Sequence, residues 1–381
     1  MSADRKLRLL PPGDADAATT VAGAWLHART APTVALALLD RAWSRDTGPD
    51  ASRAEAAALA LCLTDATYRD FRRFAERAGH LVGALDGAAM ATPDRRIVID
   101  GGIAVGALHG TAALRERVPP FDAFGDVLRR CSDGDADRVL AGSAAMMAYL
   151  DASSRMAEAA RLEVEAARFE AQASPWWRGH WRSICGQHAL FAHRRDDAAR
   201  HLAAAAEIAR AHSLRELAVV VAVMSARLAL VGGDVAGARA LLAGCEPVDD
   251  ATDPMWRAIL LQQASLALLI DEHYAEALSV AHRAVAFAEL ADAPDDEGAQ
   301  MRVLEGYCLV AAGDGAAAAA SFRAAVDRVA PVQREQLRVL ARFADVMAMP
   351  MGAARRAELA AAFSACRALR YTAVYWPVPR A

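Results

Sequence analysis

The chain has 381 residues, of which 55% are hydrophobic and 24% charged, and its net charge at pH 7 is −4. This length can bury one large core or an extended solenoid without disulfide or metal support. The arginines alternate with acidic residues and form no basic stripe, so the composition disfavours nucleic-acid binding.

Cysteine usage and apolar patterning point to a cytoplasmic protein. The six cysteines are widely spaced and form no CxxC pair, which is typical of buried thiols in a reducing compartment. The start of the chain, "MSADRKLRLLPPGDADAATT", lacks the apolar core of a signal peptide. The longest apolar stretches are too short to span a bilayer, so no membrane association is expected.

Alanine-rich segments dominate the chain and predict an all-α fold, because alanine is the strongest helix former. "RRIVID", at Arg95–Asp100, is the one short run of β-branched residues. In chain order we expect a disordered segment over 1–15, less regular hairpins over 17–130, regular repeats over 136–370 and an aromatic, proline-containing tail over 371–381. All of these are predicted to belong to a single helical-repeat domain, 1–381.

The regular repeats share an apolar helix, a tight polar turn and a second helix with a small residue shortly after the turn. These small residues recur about 40 residues apart, which is typical of helical-repeat proteins. They are Ala159, Ala199, Ala238, Ala277, Ala318 and Ala357, with weaker matches at Ala35, Phe71 and Leu114. The pattern predicts a right-handed α-solenoid of about nine helical hairpins.

Turn residues support these boundaries. Gly232, Gly233 and Gly313 are expected to end helices, and Asp234 and Asp314 to cap the helices that follow. Prolines are expected near helix starts, where the missing N–H is harmless; they are Pro32, Pro175, Pro254, Pro294 and Pro331.

The hairpins resemble tetratricopeptide repeats, although their period exceeds the usual length of about 34 residues. "PWWRGHWRSICGQHALFAHRRDDAARHLAAAAEIARAHSL", the "GDxxxA" turns and the ending "LRYTAVYWPVPRA" are similar to the long-period repeats of large bacterial ATPase regulators of the maltose-activator (MalT-like) type. The chain departs from that family because it carries neither the ATPase nor the DNA-binding domain, and no GxxxxGK[ST] motif occurs. The resemblance therefore implies only a ligand-sensing or partner-binding role in transcriptional regulation.

Aligned first helices show one apolar stripe and one mixed stripe. The mixed stripe predicts ligand-binding residues on the concave face of the solenoid, where such proteins usually bind; they are Trp177, Trp181, His188, Arg227, Gln262, Tyr307 and Arg342. In this alignment His188, Arg227 and Tyr307 stand in register. The alternative, a core stripe whose polar groups are satisfied locally, stays open.

The sequence favours a non-enzymatic binding module for a protein, a peptide or a small effector, and a homo-oligomer is left open. Cys185 and His188 are three residues apart, but no HExxH motif or second Cys/His pair accompanies them. No catalytic residue, metal or cofactor is therefore predicted. The runner-up is an enzyme or biosynthetic accessory protein that uses His188, Arg227 or Tyr307 inside the superhelix.

Overall fold

The computed structural model describes residues 17–43, 50–67, 70–85, 91–245, 254–293, 295–328 and 331–368. Helices make up all the regular secondary structure in these ranges, so the all-α prediction is confirmed. "RRIVID" is helical as well. Within the same ranges, no helix combines the length and the apolar character needed to cross a membrane. The predicted disordered segment 1–15 and the tail 371–381 lie outside the described residues.

Contacts divide the chain into two compact units, Met1–Val221 and Ala222–Ala381. The helices of the first unit are α1 Ala17–Ala28, α2 Pro32–Trp43, α3 Asp50–Thr67, α4 Phe74–Ala84, α5 Pro93–Leu108, α6 Ala112–Arg115, α7 Phe121–Arg130, α8 Ala136–Ala152, α9 Met156–Ala166, α10 Pro175–Phe191 and α11 Arg195–Ala211. The boundary falls within α12, Arg215–Gly232. The second unit continues with α13 Val235–Ala243, α14 Pro254–Ile270, α15 Tyr274–Leu290, α16 Asp295–Ala311, α17 Gly315–Val326, α18 Pro331–Ala348 and α19 Ala353–Ala368.

Successive helices pack as hairpins. Neighbouring hairpins contact each other through their first helices in the first unit, and mainly through the second helix of one and the first helix of the next in the second unit. In the first unit α8 packs on α9 and α10 on α11, while α5, α8 and α10 lie side by side. In the second unit α14 packs on α15, α16 on α17 and α18 on α19, and α14 also contacts α16. The right-handed solenoid and the single domain over 1–381 stay predictions.

One turn geometry recurs between the two helices of a hairpin. A residue with positive φ follows the first helix at Gly110, Ser154, His193, Gly233, Glu272 and Gly313. The next residue donates its N–H to the carbonyl five positions earlier, which is the Schellman arrangement. The bonded pairs are Thr111–Gly106, Arg155–Leu150, Arg194–Ala189, Asp234–Ala229, His273–Leu268 and Asp314–Leu309, at 2.8 to 2.9 Å.

The predicted caps and proline starts agree with the structure. Asp234 accepts from the N–H of Gly237 at 2.8 Å, and Asp314 from that of Ala317 at 3.0 Å. Gly232 is the last residue of α12. Helices begin at Pro32, Pro175, Pro254 and Pro331, and Pro294 lies outside the described residues.

The buried alanines reveal an error of one residue in the predicted alignment. Five residues after the left-handed residue stands a fully buried alanine in successive hairpins: Ala159, Ala198, Ala238, Ala277 and Ala318. The sequence alignment instead assigned this position to Ala199, which is exposed. The error arose because His193, and not a glycine, takes the left-handed conformation in that turn. Ala357, the last predicted member, is also exposed. The weaker matches Ala35, Phe71 and Leu114 are buried, but Leu114 stands four residues after Gly110 and Phe71 directly after the left-handed Asp70.

Alanine substitutions at the adjacent Gly232 and Gly233 test the turn between α12 and α13. Gly233 has a φ of 84° and Gly232 is helical, and a Cβ would meet nothing within 4 Å at either position. Gly233→Ala should lower the free energy of unfolding in urea by about 1 kcal/mol, because a Cβ is strained in the left-handed region. Gly232→Ala, the matched control, should leave it unchanged or raise it by up to about 1 kcal/mol. Equal effects would contradict the assigned turn.

Candidate functional site

The tryptophans at the start of α10 are core residues in this structure. Trp176, Trp177 and Trp181 are each 1% exposed. The ring of Trp177 lies 6.0 Å from that of Trp25 and meets His180 edge-on at 5.9 Å. Trp177 and Trp181 therefore present almost no surface to solvent, and their ligand-binding role stays a prediction.

His188 forms a buried pair with Asp151 of the preceding hairpin. Its Nδ1 lies 2.7 Å from the carboxylate, and the side chains of His188 and Asp151 are 1% and 2% exposed. Burial raises the pKa of Asp151, and the hydrogen bond from His188 opposes that rise. His188 Nε2 has no hydrogen-bond partner in the described part of the chain. The imidazole is thus engaged with Asp151 and not with Cys185.

The corrected turn moves His188 to another column. His188 stands ten residues before Ala198, whereas Arg227 and Tyr307 stand eleven before the alanines of their own hairpins. The prediction that these three residues share a register is therefore wrong. The column that contains His188 is otherwise apolar from the third regular hairpin onward: Leu228, Ala267 and Cys308.

The predicted residues of the second unit differ widely in exposure. Arg227 on α12 is 8% exposed and Gln262 on α14 is 1% exposed, and Gln262 Oε1 accepts a 3.0 Å hydrogen bond from Gln263. Tyr307 on α16 is half-buried and meets Phe322 edge-on, with ring centroids 5.5 Å apart. Arg342 on α18 is the exposed member of the set.

Arg342 lines an open cleft of about 410 Å³ between α17 and α18. Its lining residues are Arg323, Val326, Asp327, Arg338, Ala341, Arg342 and Asp345. Sequence reasoning missed Arg323 and Arg338. The spacing of Arg338 and Arg342, one helical turn apart on one face, is the signal that could have identified Arg338.

The cleft arginines form exposed ion pairs. Arg342 bonds to Glu358 at 2.7 Å and Arg338 to Glu335 at 3.3 Å, while Arg323 pairs with Asp345. The side chains of Arg323, Arg338 and Arg342 are 57%, 60% and 52% exposed. Pairs of this kind contribute about 0–1 kcal/mol, so breaking one of them costs little.

A second polar cluster is buried between α9, α10 and α11. Glu163, Cys185 and His201 each place one potential metal-ligand atom within 4.8 Å of the other two. Burial is the main reason that the pKa of Cys185 is raised well above its usual range. The thiol is therefore protonated near neutral pH, which is the opposite of an activated nucleophile. Hydrogen bonding to His201, more than any other contact, lowers the pKa of Glu163 to about 2.

Comparisons with protein-family models and with curated proteins found no match. The resemblance to tetratricopeptide repeats and to MalT-like regulators stays a prediction.

The buried Asp151–His188 pair generates a stability prediction. His188→Leu leaves the Asp151 carboxylate buried without its partner, so the free energy of unfolding should fall by about 3–5 kcal/mol at pH 7. The double variant Asp151→Leu/His188→Leu removes both groups, so its free energy of unfolding should fall by less than that of His188→Leu. In His188→Leu, burial keeps the pKa of Asp151 raised in the folded state, so the folded chain binds this proton more tightly than the unfolded chain. The loss of unfolding free energy relative to the wild type should therefore become smaller as pH falls.

Urea unfolding at pH 7 and pH 5 measures these differences. A single variant no less stable than the double variant would contradict the assignment of this pair to the core.

Proposed function

We propose that the chain is a non-enzymatic binding module, acting as a regulator or an adaptor, that recognises a protein or peptide partner. The contact surface includes the cleft between α17 and α18, and the partner presents carboxylate groups to it. The observation that carries this proposal is the set of three exposed arginines around one cleft, one of which, Arg342, is also a residue predicted from the sequence.

The chemistry of the cleft suits a peptide segment rich in Asp or Glu. A guanidinium group presents several donors in one plane and binds carboxylates in a bidentate manner. Arg323, Arg338 and Arg342 converge from two helices, so a partner can engage more than one of them at once. Val326 and Ala341 add apolar surface for the aliphatic part of a side chain.

Buried groups elsewhere support binding over catalysis. Burial lowers the pKa of His180 to about 4, and burial is also the main cause of the raised pKa of Cys185. A neutral imidazole and a protonated thiol inside helix packing are typical of a core. The exposed arginines, in contrast, lie at the surface and can reach a partner.

Substitutions that remove the positive charges of the three arginines test the cleft. We expect a fluorescein-labelled hexaglutamate peptide to bind the wild-type chain. Arg323→Gln/Arg338→Gln/Arg342→Gln should weaken binding by about 10- to 150-fold, because each of the three pairs contributes about 0.5–1 kcal/mol. Fluorescence polarisation measures the Kd. Binding should also weaken as salt rises, because exposed charges are screened.

A matched control removes the same charge from the first unit. Arg161, Arg200 and Arg210 have exposed side chains, at 55%, 70% and 78%, and line no part of the cleft. Arg161→Gln/Arg200→Gln/Arg210→Gln should bind the peptide nearly as well as the wild type. Equal losses in the two triple variants, or no binding by the wild type, would refute the cleft as the contact surface.

A further inference from the structure

The cluster of Glu163, Cys185 and His201 has the composition of a metal site. Among the described residues, it is the one set of three such side chains whose potential ligand atoms all lie within 4.8 Å of one another. The three residues come from α9, α10 and α11 and are distant in sequence. Cys185 is 1% exposed and His201 8% exposed, so the thiol and the imidazole meet away from bulk water.

We propose that Glu163, Cys185 and His201 bind a zinc ion. Thiolate, imidazole and carboxylate are the side-chain ligands that Zn²⁺ takes, and three protein ligands leave a fourth tetrahedral position for water. His201 Nε2 and Glu163 Oε1 are 3.1 Å apart. Two ligands with zinc bonds of about 2.0–2.1 Å are about 3.3 Å apart in a tetrahedron. This pair is therefore already spaced for one ion.

Cys185 and Glu163 can balance the charge of the zinc ion while Arg194 keeps its contacts with Glu163 and Asp197. The thiolate and the carboxylate neutralise the dication, since zinc displaces the thiol proton of Cys185. Arg194 donates to Glu163 Oε2 at 3.2 Å and to Asp197 at 2.9 Å, which leaves Glu163 Oε1 for the metal. The Glu163 side chain is 19% exposed and offers the ion a path from solvent.

Binding requires one local change, at Arg182. Its guanidinium lies 3.2 Å from His201 Nδ1 and 2.6 Å from Glu170. When zinc occupies Nε2, the imidazole proton must lie on Nδ1, which a guanidinium cannot approach as a donor. Arg182 then turns away from the ring and stays paired with Glu170.

The ion would join both helices of the α10–α11 hairpin to the second helix of the preceding one. A metal that binds the folded chain and not the unfolded chain raises stability by mass action. The expected effect of the ion is therefore a gain in stability. This inference is independent of the proposed partner cleft, which lies in the other unit.

Cobalt substitution tests the site in the full chain. After removal of bound metal with a chelator, titration with Co²⁺ should produce thiolate-to-cobalt charge-transfer absorption that saturates at one ion per chain. Zn²⁺ should abolish that absorption and raise Tm. Cys185→Ser should lose the absorption and the Tm rise.

Cys308→Ser is the matched control, because Cys308 is a fully buried thiol in the second unit whose Sγ lies 3.5 Å from Ser265 Oγ. It should behave as the wild type. If Cys185→Ser does not fold, Glu163→Gln and His201→Gln, checked by circular dichroism, should each weaken zinc binding at least tenfold. A folded wild type with no cobalt–thiolate absorption and no zinc-dependent Tm would overturn the proposal, and so would absorption that persists in Cys185→Ser.

Discussion

The left-handed turn with its hydrogen bond across five residues is the constraint on which the hairpins depend. It ends the first helix, and in five of the six described turns a fully buried alanine stands five residues after the left-handed residue. A non-glycine residue is strained in this conformation by about 1–2 kcal/mol. Ser154, His193 and Glu272 nevertheless adopt it, because the turn supplies two backbone hydrogen bonds at each position.

The register set by the turn explains why polar residues of the first unit are buried. Asp151 and His188 stand at buried positions of adjacent hairpins and satisfy each other. Cys185 of the Glu163–Cys185–His201 cluster stands three residues before His188 on α10. The second unit instead has a continuous apolar core. Arg227 and Glu305 are nevertheless buried there, whereas the arginines of the cleft are exposed.

Residue patterns along the chain were sufficient for the helical class, the proline starts and the glycine–aspartate turns, since each is a local preference. They were insufficient at His193, where the packing of two helices imposes a conformation that histidine does not favour. The burial of Trp177 and Trp181 could not be predicted from the sequence, because the burial of a helical face depends on its neighbours. The cleft and the Glu163–Cys185–His201 cluster combine side chains from different helices, and no local pattern could bring them together.

Amide hydrogen exchange at the α10–α11 turn tests the register most directly, because the two alternatives place the turn hydrogen bond on different residues. We predict that the Arg194 amide is protected, since it bonds to the Ala189 carbonyl at 2.8 Å, and that the Arg195 amide, the first of α11, exchanges fast. A protected Arg195 with a rapidly exchanging Arg194 would contradict the account. That result would instead support the sequence alignment, which places Ala199 at the buried position.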